Sequence, residues 1–65
     1  MKLDVEKLKI FQAQNCLENK ELAEKAGISI TSLQRIKNGS TNPRLITIGK
    51  LARALSVEVT ELIEK

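Results

Sequence analysis

An all-α fold is what the sequence predicts, and three observations predict it. Turn-forming residues at Cys16 to Asn19, Gly27, Gly39 to Pro43 and Ser56 divide the 65 residues into about five helix-sized pieces. Within the pieces, apolar residues recur at every third or fourth position, the spacing that lines one face of a helix. Hydrophobic residues make up 42% of the chain but aromatic ones only 2%, Phe11 alone, so the core is aliphatic. A chain of this length buries roughly 60% of its unfolded surface, and residues 1–65 read as one compact domain.

The elements follow in order. Asp4 caps the first helix by accepting from backbone N–H groups, with Leu3 before it stapling to Leu8. Val5, Leu8 and Phe11 then form the inner face as far as about Asn15. The second helix, Asn19 to Ala26, turns Leu22, Ala23 and Ala26 inward, and its two alanines permit close approach of a crossing helix. Gly27 follows where a left-handed backbone costs glycine nothing. Ser29 caps the third helix, Ile28 staples to Leu33, and Leu33 and Ile36 face inward. Ile30, Thr31, Gln34 and Arg35 therefore point outward. After a polar loop closed by Pro43, Leu45, Ile48, Leu51, Ala52 and Leu55 form the apolar stripe of the fourth helix. A short fifth helix spans about Glu58 to Glu64.

Composition also excludes functions. No histidine and a single cysteine, Cys16, leave neither a zinc site nor an internal disulfide, and Cys16 reads as a small buried filler. Three scattered glycines build no phosphate loop, and no nucleophile has a base beside it, so neither catalysis nor a cofactor is expected. No leader and no long apolar run appears, which predicts a soluble protein of the reducing cytoplasm. The formal charge of +3 and pI near 9.3 suit a polyanionic partner, while the lack of aromatics disfavours single strands.

From Leu8 to Leu62 the sequence resembles the Cro and phage-repressor type helix-turn-helix family, often called XRE-like. The resemblance rests on Leu22, Ala23, Ala26, Gly27, Ile28, Leu33 and Ile36, then on "NG" at Asn38, "NP" at Asn42 and "LARALSV" from Leu51 to Val57. It implies a five-helix lambda-repressor-like domain whose second and third helices form the motif, the third lying in the major groove of duplex DNA. By that resemblance Ile30, Thr31, Gln34 and Arg35 read bases. Arginine can fork onto guanine, glutamine can pair with adenine, and Ile30 and Thr31 can meet a thymine methyl. A solvated helix face is the plainer reading of the same residues.

Phosphate contacts are expected from Asn19 and Lys20 at the start of the second helix, from Ser29, and from Asn38, Ser40, Thr41 and Arg44 after the third. Ordinary turn chemistry is the alternative for Asn38. The implied protein is a bacterial or phage-encoded transcriptional regulator, a repressor dimerising on a palindromic operator. Val59, Leu62, Ile63 and Ile46 are the candidate dimer contacts, with completion of the monomer core as the alternative. An antitoxin that binds its toxin and its own operator is the rival function. Many family members pair an arginine on the first helix with a glutamate on the third. Gln12 and Lys37 stand at those positions here, so the ion pair is absent, though the two can form a charge-assisted hydrogen bond.

Overall fold

A computed structural model describes residues 2–64. Five helices follow one another: α1 Val5–Gln14, α2 Asn19–Ala26, α3 Ile30–Lys37, α4 Leu45–Leu55 and α5 Val59–Leu62. Leu8, Leu22, Leu33, Ile48, Leu51, Leu55 and Leu62 fill the centre, each almost wholly buried. Ala23, Ala26 and Ala52 lie in the same core. α2 packs chiefly against α4 and α3, and small side chains at such crossings bring helix axes close.

Helix starts are secured locally. Asp4 Oδ1 accepts from the Lys7 N–H at 3.2 Å, and Ser29 Oγ accepts from the Ser32 N–H at 3.1 Å. At α2 and α5 a glutamate three residues into the helix reaches back: Glu21 to the Glu18 N–H at 3.0 Å and Glu61 to the Glu58 N–H at 2.9 Å. Each arrangement occupies a backbone donor that has no partner inside its helix. α4 alone of the five begins without such help from a side chain.

Four helices end in one geometry. The backbone is left-handed at Cys16, Gly27, Gly39 and Ser56, with φ of 56°, 72°, 81° and 59°. The next residue's N–H then reaches five positions back, Leu17 to Gln12 at 3.1 Å, and Ile28 to Ala23, Ser40 to Arg35 and Val57 to Ala52 at 3.0 Å each. This closes the open carbonyls of the last turn.

Three expectations are corrected. Cys16 is exposed rather than buried, because the left-handed turn carries its side chain away from the core. Leu45 is 53% exposed; it sits on the first turn of α4, ahead of the stretch that the other helices cover. The fifth helix stops at Leu62, and Ile63 turns extended to pair antiparallel with Leu3. The Asp4 N–H donates to the Leu62 carbonyl and the Glu64 N–H to the Lys2 carbonyl, both at 2.7 Å.

Candidate nucleic-acid interface

The turn between α2 and α3 is what exposes α3. Gly27 ends one helix, Ser29 begins the next, and Ile28 between them packs on the core. With Leu33 and Ile36 buried, the opposite side of α3 stands free. Ile30, Thr31, Gln34 and Arg35 are all exposed there, so the structure brings the four expected base-reading side chains onto one ridge. Ile30 is 42% exposed, a half-open apolar group that belongs to a surface meeting apolar atoms as readily as to a core edge.

A groove runs along each side of the ridge. On one side a cleft of about 420 Å³ is lined by Ser32, Arg35, Thr41, Asn42, Arg44 and Thr47 among others. Neither guanidinium makes a hydrogen bond or ion pair among the described residues. The uncapped start of α4 opens beside Arg44 and Thr47, where unspent backbone N–H groups and the positive end of the helix favour an anion. On the other side a shallower cleft of about 460 Å³ is lined by Lys9, Asn19, Gln34, Lys37 and Asn38.

Lys37 is fixed within the second groove. Its Nζ donates to Gln12 Oε1 at 2.8 Å and to Asn19 Oδ1 at 2.7 Å. Gln12, 6% exposed, in turn donates from Nε2 to Asn19 Oδ1 at 3.0 Å and to the Leu17 carbonyl at 2.9 Å. Hydrogen bonds thus take the place of an ion pair between α1 and α3. Burial, with the Lys9 charge adding to it, pushes the Lys37 ammonium below its ordinary pKa.

The expected phosphate-contacting residues lie around these grooves in unequal states. Lys20, Thr41 and Arg44 are exposed. Ser29 is occupied by its cap, and Asn38 Oδ1 by the Ser40 N–H at 2.9 Å and the Ser40 Oγ at 2.6 Å, which is turn chemistry. Asn19 Oδ1 faces inward to Gln12 and Lys37, leaving its Nδ2 as the donor it can offer.

A family model described as helix-turn-helix matches residues 14–62. The chain belongs to the XRE-type helix-turn-helix DNA-binding family. Among solved structures, the restriction-modification controller protein C.AhdI from Aeromonas hydrophila is similar at TM-score 0.86 and 29% identity, over 91% of this chain and 89% of that one. PhpD, solved with cadmium and hydroethylphosphonate, contains a segment similar at TM-score 0.83 and 26% identity; all of this chain is covered but only 14% of PhpD. No curated protein matches.

In this helix-turn-helix chain the apolar dimer candidates separate. Leu62 has no exposed surface and Val59 and Ile63 pack half-buried against the core. Leu62 is therefore a core residue, which removes it from any contact between copies of the folded chain. Ile46 is 75% exposed. Among the described residues, no cluster of acidic, cysteine or histidine side chains is arranged to hold a metal ion, and no helix is long and apolar enough to cross a membrane.

Two features escaped the sequence reading. Residues 25–57 hold six of the eleven Lys and Arg and none of the eight acids, so this stretch carries +6 and the remainder −3. That segregation is legible in the sequence once the charge is counted by segment. The place of Lys9 beside Lys37 is not, because it depends on how α1 crosses α3.

Proposed function

We propose that the protein is a sequence-specific regulator of transcription, a repressor that lays α3 in the major groove of double-stranded DNA. One observation carries this reading: the exposed ridge of Thr31, Gln34 and Arg35 lies between two grooves that hold only cationic and neutral side chains. A helix entering the major groove meets base edges in front and a sugar-phosphate strand on either hand. The family match and the likeness to a controller protein support the same conclusion. The protein binds rather than catalyses, and it acts in the cytoplasm without a cofactor.

In this reading Ile30, Thr31, Gln34 and Arg35 contact bases, each good bidentate pair discriminating by about 1–3 kcal/mol. Lys20, Arg44, Thr41 and the amides at the start of α2 and α4 hold phosphates, with Asn19, Ser29, Asn38 and Ser40 as neighbours at the rim. The operator is a palindrome bound by a homodimer, its half-sites about 34 Å apart. Ile46, 75% exposed, is the most open apolar candidate for the dimer contact, with Val59 and Ile63 as partly buried ones.

Selection from a random duplex pool, followed by anisotropy titration with labelled DNA, tests the reading. A palindromic winner bound with a steep salt dependence is the expected result. Failure to enrich any sequence would remove base reading by α3. Gln34→Ala should relax the preference at one base position; an unchanged preference would take Gln34 out of the readout.

A further inference from the structure

The groove formed by α1, α2 and α3 brings together two lysines, Lys9 and Lys37, to which the sequence assigns no DNA contact. Two hydrogens of the Lys37 ammonium go to Gln12 Oε1 and Asn19 Oδ1, so the third has no protein acceptor among the described residues. Asn19 receives both Gln12 and Lys37 on its one oxygen, which leaves its Nδ2 hydrogens unspent. Lys9 stands across the cleft. Its one acidic partner among the described residues, Glu6, is 4.0 Å away on the exposed side of α1 and outside the lining. The groove accordingly offers two ammonium groups and an amide donor, and no carboxylate.

Like charges held together in a lining that contains no acid are unfavourable until an anion arrives. The groove shares Gln34 with the α3 ridge, so whatever it binds lies beside the surface assigned to the bases. On the far side of that ridge lies the groove of Arg35 and Arg44. We propose that the Lys9–Lys37 groove is a phosphate site that holds one phosphodiester of the duplex strand flanking α3. Lys37 and Lys9 are its ligands, and Gln12 and Asn19 are positioning residues that hold the Lys37 ammonium in place. The proposal rests on the reading of α3 as the DNA helix. It adds a backbone contact from α1, and a second from a residue of α3 that faces away from the bases. Because Lys37 is already ordered in the folded chain, little side-chain freedom is lost when the phosphate binds.

The test uses labelled random-sequence duplex, titrated between about 50 and 200 mM salt. Wild type is compared with Lys9→Met, Lys37→Met and the double variant Gln12→Arg/Lys37→Glu. The double variant keeps a charged link between α1 and α3, so it remains folded should Lys37→Met melt, and thermal unfolding by circular dichroism verifies this. The slope of log K against log salt should fall by about 0.9 in each lysine variant and by at least as much in the double variant. Wild-type binding with an unchanged slope in the folded Lys9→Met and double variants would overturn the phosphate site and leave the DNA reading standing. No wild-type binding to any duplex would overturn both. Replacing chloride by inorganic phosphate at equal ionic strength separates the two sources of the anion. If inorganic phosphate weakens wild-type binding but not that of the double variant, the free anion and the duplex compete for the groove, as the proposal requires. If it raises the thermal stability of wild type but not of the double variant while duplex affinity is unchanged in both, the groove is a site for free phosphate, and its assignment to the duplex fails.

Discussion

On one side of α3, the guanidinium groups of Arg35 and Arg44 make no hydrogen bond among the described residues, whereas on the other the Lys37 ammonium is held at 2.8 and 2.7 Å by side chains of α1 and α2. Both grooves are cationic, yet they place the cost of ordering a long side chain at different moments. The arginines keep their freedom and lose it on binding, at about 0.5–1.5 kcal/mol for each immobilised side chain. Lys37 loses it on folding. Binding through the lysine groove is therefore tied to the packing of α1 against α3, while the arginine groove can change without disturbing the core.

The comparison breaks most sharply at Gln12. Gln12→Leu removes the acceptor of a partly buried ammonium and the donor to the Leu17 carbonyl, so it should destabilise the fold by about 1–3 kcal/mol, measured by urea unfolding. Arg44→Ala should leave stability within about 0.5 kcal/mol. It should still weaken binding on all sequences alike and lower the salt slope by about 1. A base-specific loss there would make the arginine groove part of the readout.

A change outside both grooves sets the baseline. Cys16→Gly relieves a left-handed residue of about 1–2 kcal/mol of strain, offset by about 0.5–1 kcal/mol of extra chain freedom in the unfolded state. The net stabilisation of a few tenths to about 1 kcal/mol should appear in the unfolding midpoint with DNA affinity unchanged. The smallest effect concerns pH. The folded pKa of Lys37 lies below the ordinary 10.5, so just below that pH the unfolded chain binds more protons. The contribution of Lys37 to stability then rises with pH. Lys9→Gln removes the second cause of the lowering and should flatten that rise; an unaltered pH profile would show that burial alone sets it.

Helix boundaries around the motif were legible because each rests on neighbours in sequence. The Gly27 turn, the Ser29 cap and the inward Leu33 and Ile36 all declare themselves within a few residues. At Cys16 and Ser56 the same left-handed ending is built without glycine, so residue type gives no sign of it. Cys16 was accordingly expected inside. The fifth helix was expected to reach Glu64 because the pairing that makes Ile63 extended comes from Leu3, at the other end of the sequence. Leu45 fits the apolar period of α4 but lies beyond the reach of the packed helices. The α3 ridge follows from helical spacing once Leu33 and Ile36 are known to be buried. The lysine groove does not, since Gln12, Asn19 and Lys37 come from three helices.

The antiparallel pairing of Leu3 with Ile63 means that the chain enters and leaves the bundle at one spot. A unit with neighbouring doors can be spliced into a surface loop of a larger host without stretching either strand of the host loop. It can equally be sewn into a ring and reopened in the polar loop between α3 and α4. The same staple makes the fold a portable cassette whose exposed α3 ridge is carried by helices rather than by the seam.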